Sequence, residues 1–173
     1  IDALRGMKFR AHNAMTERLA QLVGAVPTEV EVSDIPQAFA SGQLDAMIAS
    51  PSTGAESQAW DYANTFTNIQ AWLPKNVVVV NKRIFQTLDE PIRTAILNAA
   101  AAAEERGWQM SVNETNKAMQ VMRNHGMIVA DPAPALEQDL QETGTVMTLE
   151  WVQRAGPEGA DILRRFGSTP QPR

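Results

Sequence analysis

Cysteine is absent from the 173-residue chain, so neither disulfides nor thiolate metal sites can form. Histidine occurs only at His12 and His125, far apart and without metal-ligand spacing, and no metal and no cofactor is expected. A basic excess is missing too. Fifteen Lys and Arg stand against 20 Asp and Glu, a formal net charge of −5, which argues against nucleic-acid partners and anionic membrane surfaces. No apolar run nears the roughly 20 residues that span a bilayer. No leader pattern opens the chain, which begins at Ile1 rather than Met, as expected of a mature or excised form. Catalytic signatures are equally scarce: no GxGxxG, no P-loop, and no Ser/His/Asp set in a strained elbow. The pair Glu104-Glu105 reads as a solvated helix face, and Asp45 as an acceptor for a loop amide. The composition that remains, 44% hydrophobic and 20% charged, is that of one ordinary domain, and it favours binding over catalysis.

The most informative stretch is Lys8-Phe9-Arg10-Ala11-His12-Asn13. Lys8, Arg10 and His12 alternate with Phe9 and Ala11, the period of a strand with one buried face. Asn13 then fits an N-cap, Glu17 the first turn or so, and Leu19, Leu22 and Val23 one helical stripe that Gly24 closes. A guanidinium beside a helix N-terminus suits a carboxylate: Arg presents a planar fork of donors, and the helix end adds unpaired N–H groups. Arg10 is the expected carboxylate receptor; the plain alternative is a surface Arg in a strand–helix unit.

A second strand is expected over 27–32 and a helix capped by Ser33 or Asp34, with Pro36 in its first turn and Gly42 at its end. Residues 44–49 read as a third strand buried on both faces. Strands at spacings of about 15 to 20 residues are the mark of a parallel α/β unit. Ser50-Pro51-Ser52-Thr53-Gly54 follows the third strand, where parallel sheets bind ligands, and caps a short helix over 55–60. Residues 64–73 read as extended, and 76–81, with four consecutive valines, as a buried strand. Asp89 opens the longest element, a helix to His125 about 50 Å in length, with Gly107 as its bend and Gly126 as its stop. Residues 127–130 form a short strand. Helices over 134–154 and 158–166 follow, separated by Gly156-Pro157, and a Pro-rich tail over 168–173 is expected to be flexible.

Several of these segments resemble, in order and spacing, the solute-binding proteins of tripartite ATP-independent periplasmic (TRAP) transporters, of the DctP type. Met7-Lys8-Phe9-Arg10 resembles the family's "GLKIR" strand, Leu22 to Pro27 its "LGA-P" step, and Ala38 to Ala46 its "ALQ-G-VDG" passage. Residues 82–103 are similar to the passage leading into the family's long helix. The resemblance covers about residues 3–166 and corresponds to the C-terminal part of chains that run near 300 residues.

The resemblance implies a periplasmic binding protein that closes on a small organic acid and delivers it to a membrane permease. It places the substrate carboxylate on Arg10 and pocket contacts at Asn13, Val32, Ala49, Ser50, Ser52 and Thr53. The implied architecture is an α/β periplasmic-binding-protein lobe with a parallel or mixed sheet, flanking helices and one long spanning helix. Residues 1–63 begin the substrate-binding lobe, and 64–88 are crossover strands shared with a first lobe that is largely missing. Residues 89–125 span both lobes, and 126–167 complete this one. The acidic residue and tryptophan that hold a metal in some relatives are not present after Asp45, so metal-assisted binding is not expected. A less polar loop, with Trp60 and Trp72 near it in sequence, suits an aromatic or aliphatic carboxylate, and Trp72 joins the expected ligand residues. Trp72 and Val77 to Val80 would lack their usual cover, so a fragment or a homodimer is expected. Two other functions stay open: an α/β enzyme acting on a small acid, with His12 as its acid–base group, and an interaction module indifferent to small acids.

Overall fold

A computed structural model describes residues 1–71 and 76–166. Three strands make the main sheet: β1 (Lys8–Ala11), β2 (Val26–Glu29) and β3 (Ala46–Met47), all parallel, in the order β2-β1-β3. Helix α1 (Ala14–Leu22) links β1 to β2, and α2 (Ile35–Ala40) links β2 to β3. Right-handed crossovers in opposite directions across β1 put these helices on opposite faces of the sheet. The packing agrees. Phe9 sits with Leu19, Ala20 and Val23 of the α1 side, along with Ala46 and Ile48. On the other face, Val30, Ile35, Ala38 and Leu44 pack with Met47, Phe39 and Tyr62.

Local chemistry explains the boundaries. Asn13 caps α1 through a capping box: its side chain accepts from Thr16 N at 2.9 Å, while Thr16 Oγ1 accepts from Asn13 N at 3.1 Å. Gly24 ends the unit at φ 73°, where a Cβ would be strained. Pro27 has no N–H to give a second neighbour, and β2 lies at the sheet edge where none is needed. Asp45 holds the start of β1, its Oδ2 accepting from Lys8 N at 2.9 Å, as expected for a structural carboxylate. The second and third strands are shorter than expected. Residues 30–32 and 48–49 leave the ladder, and the chain after β2 turns into a 3-10 helix at Val32–Asp34. Asp34 does occupy the N-cap of α2 but makes no side-chain capping bond.

Helix α3 (Pro51–Glu56) begins four residues earlier than expected, because Ser50 serves as its N-cap and Pro51 suits the first turn. A 3-10 turn over Ala59–Asp61 then takes up the rest of the expected helix. Two further parallel strands, β4 (Thr65–Thr67) and β5 (Ile128–Ala130), form a separate small sheet. Around it, Ala59, Met122 and Met127 pack with Trp60, Tyr62, Phe66 and Val129.

The expected buried strand at 76–81 is not formed. Residues 76–80 have no strand pairing, and Val77 to Val80 are exposed, Val78 and Val79 almost completely. β-propensity in four valines reflects packing on a neighbouring strand, and among the described residues no strand lies beside them. Helix α4 (Lys82–Gln86) follows, its N-cap Asn81 accepting from Arg83 N and Ile84 N. Helix α5 (Glu90–Asn124) has 35 residues, about 50 Å at 1.5 Å each. It runs without a break through Gly107, so the expected bend is absent; one solvated glycine lowers helix propensity without redirecting the axis. Only its C-terminal third is anchored, by buried Ala118 and Met122. Ile92, Ile96, Leu97, Trp108, Met110 and Val112 are exposed.

Helix α6 (Pro134–Arg165) is broken where expected, at Gly156 (φ 67°, ψ −154°). It returns to the main sheet: Met147 packs against the Phe9 cluster, and Arg18 of α1 grips Glu150, with Nε 3.1 and 3.0 Å from the two carboxylate oxygens. Trp72 and the tail over 168–173 lie outside the described residues.

Candidate functional site

In a sheet ordered 2-1-3, consecutive connections diverge at the carboxyl ends of β1 and β3, the place where parallel sheets of this kind bind ligands. Arg10 stands at that end of the central strand, paired in register with Met47 of β3 and Thr28 of β2. Strand alternation puts it on the face opposite Phe9, the side of α2, Met47 and Tyr62. The sequence pattern predicts Arg10 on a polar face; it is in fact only 4% exposed. Both faces of the central strand are covered, and polar alternation does not mean exposure there.

A buried guanidinium needs acceptors. Nε of Arg10 donates to the Val30 carbonyl at 2.8 Å, and Nη1 lies 3.5 Å from His12 Nδ1. No carboxylate among the described residues is within salt-bridge distance of it. Burial pushes its pKa below the usual arginine value, and the fields of Glu31 and Tyr62 oppose that shift. Arg10 is thus a buried cation held in position by one backbone bond, with no direct counter-charge among the described residues.

His12 follows at the exposed end of β1, its backbone N–H donating to Thr16 Oγ1 at 3.0 Å. Its pKa is lowered by desolvation first and by the Arg10 cation second. Tyr62, the single tyrosine of the chain, lies within the field of Arg10. Its ring stacks on Phe39 at 4.7 Å, and its hydroxyl pairs with Ser57 Oγ at 2.6 Å. Burial raises its pKa most strongly, opposed by the Ser57 bond and by Arg10. Sequence reasoning missed Tyr62 because no periodicity marks a residue in a turn; its uniqueness was the only signal.

The other expected residues are placed as follows. Asn13 is beside Arg10 at the head of α1, its carbonyl oxygen spent on the cap. Ala49 and Ser50 continue from β3 next to the end of β1. Ser50 Oγ lies 2.9 Å from both Ser52 Oγ and Thr53 Oγ1 and accepts from Thr53 N, so this hydroxyl cluster is largely satisfied internally. Val32 is exposed beyond the end of β2. Arg10, His12 and Asn13 thus follow one another at the end of β1, Ala49 and Ser50 follow its neighbour β3, and Val32 follows β2 on the other side of β1. No group of acidic, His or Cys side chains among the described residues could hold a metal.

A family model described as bacterial extracellular solute-binding protein, family 7 (DctP), matches residues 1–154. The C4-dicarboxylate-binding periplasmic protein DctP of Rhodobacter capsulatus is 25% identical over 159 residues, 91% of this chain and 48% of that protein. Among solved structures, DctP7 of Bordetella pertussis, an extracytoplasmic solute receptor binding pyroglutamic acid, is 42% identical with a TM-score of 0.82. That match covers 94% of this chain and 54% of the other. A marine metagenome TRAP solute-binding protein in complex with pyroglutamate is 32% identical, with a TM-score of 0.80 over 94% of this chain and 53% of its own. The chain thus spans about half the length of these relatives, as a single α/β lobe of the periplasmic-binding type. Fold and sequence together make the chain a member of the DctP family, the bacterial extracellular solute-binding proteins of family 7.

Proposed function

We propose that this chain is the arginine-bearing lobe of an extracytoplasmic TRAP receptor that captures pyroglutamate, or a carboxylate of similar size, and delivers it to a membrane permease. The observation that carries this reading is Arg10, buried at the strand ends with no carboxylate beside it. A protein keeps such a cation at a cost unless a ligand supplies the missing charge. Pyroglutamate is a small cyclic amide acid, and it is the ligand of two relatives that are 42% and 32% identical to this chain. Asn13, Val32, Ala49, Ser50, Ser52, Thr53 and Trp72 are proposed to line the remaining pocket. Residues 64–88 are proposed to cross to a second lobe and 89–125 to back both.

A carboxylate on Arg10 contributes about 1.5–3 kcal/mol net, so losing it weakens binding roughly tenfold to more than a hundredfold. The test is a thermal-shift panel containing pyroglutamate, ectoine, uronates and C4-dicarboxylates, run on the chain and on Arg10→Ala. Stabilisation by one acid that disappears in the variant is expected. Equal shifts in both proteins, or no shift with any acid, would remove Arg10 from the role.

A second reading has its own observation. Val77 to Val80 and several apolar residues of α5 are exposed, and we propose that a second copy of the chain covers them in a homodimer. Light scattering on the same samples reads this directly.

A further inference from the structure

We propose that His12 is a second contact to the bound carboxylate and that it takes up one proton as the anion arrives. This inference rests on the receptor reading of Arg10.

Arginine has donors only, so the 3.5 Å approach of Arg10 Nη1 to His12 Nδ1 is a hydrogen bond only in the neutral tautomer that carries its hydrogen on Nε2. We take that tautomer as the free state. His12 follows the end of β1, two residues after Arg10, and its backbone N–H is tied to Thr16 Oγ1 in the cap of α1. Arg10 is the charged group that acts on it; desolvation works in the same direction and keeps the ring neutral.

An anion on the guanidinium reverses this arrangement. Two groups 3.5 Å apart are close enough to be bridged by one carboxylate. That carboxylate offers only acceptors, and a lone pair on Nδ1 would face it unfavourably. A proton from solvent on Nδ1 turns the ring into an imidazolium, with N–H at both nitrogens, that donates to the anion. The ligand charge also offsets the field of Arg10, which makes protonation easier. The balance is one carboxylate and one proton bound, with no covalent bond made or broken.

Calorimetric titration of L-pyroglutamate into the chain, in buffers of different ionisation enthalpy and at pH values from 8 to 5.5, tests the proposal. The carboxylate of the probe stays ionised throughout this range. Expected are proton uptake on binding and an affinity that rises as pH falls, by up to about tenfold per pH unit where the linkage is steepest. His12→Gln should bind with no proton uptake and a flat profile, its fold checked by circular dichroism. In the wild type, the His12 ring proton resonance should titrate at higher pH with the probe bound than without it. Binding that depends on Arg10 but shows no uptake would overturn the role of His12 and leave the receptor reading standing. Absence of pyroglutamate binding would overturn both.

Discussion

Arg10 and His12 carry opposite demands on the same few ångströms. Arg10 is buried with a backbone carbonyl and a neutral imidazole as its partners, so the fold gains little from its charge. Arg10→Met keeps the length and removes the cation. It should leave thermal stability unchanged or slightly higher while weakening carboxylate binding roughly tenfold to more than a hundredfold, because a buried charge without a counter-ion costs more than a buried thioether. A melting curve beside a binding isotherm checks both halves. His12 gives a pH prediction whose sign follows from its lowered pKa. Between the folded value and the ordinary value near 6.5, the unfolded chain binds more protons, so stability falls as pH drops through this window. Urea midpoints at pH 7.5 and 5 should show a smaller loss in His12→Gln than in the wild type. Arg10 was legible as a candidate, since an alternating strand that runs into an N-cap is a local pattern. Its burial and the nearness of Tyr62 were not, because both depend on which face α2 and a distant turn cover.

Among the elements, α1 and its cap place the site. The Asn13–Thr16 capping box satisfies two N–H groups and orients the end of β1. Asn13→Ala should cost about 1 kcal/mol of stability, read as a lower denaturation midpoint. Met122 is fully buried and joins α5 to the small sheet. Met122→Ala should cost about 2–5 kcal/mol, and in a chain with so few anchors on α5 the loss should unfold that helix first. Hydrogen exchange along residues 90–124 would show it. Helix ends were legible because Asn13, Gly24, Asp89, Gly126 and Gly156 are local signals, whereas Asn81, read as the end of a strand, caps α4. Strand lengths at 30–32 and 48–49 were not, since apolar alternation continues there after the ladder partner has ended.

The whole molecule leaves its apolar residues unevenly covered. One face of the main sheet is closed by α1 and α6 and the other by α2 with Tyr62, yet much of α5 and the run Val77 to Val80 face water. Surface of this kind associates. The chain should migrate above its monomer mass, and Val78→Lys with Val79→Lys should shift it toward monomer without lowering the melting temperature, as neither side chain packs in this chain. The four consecutive valines read as a buried strand in the sequence, but no strand forms over residues 76–80, because among the described residues none lies beside them to pair with. The chain spans about half the length of its relatives.

The most direct measurement is isothermal titration of L-pyroglutamate into the wild-type chain and into Arg10→Met at pH 7. A receptor built on Arg10 gives saturable heat with the wild type, and affinity in the variant weaker by roughly tenfold to more than a hundredfold. Equal affinity in the two proteins, or no saturable heat in the wild type, would contradict the assignment of the carboxylate to Arg10.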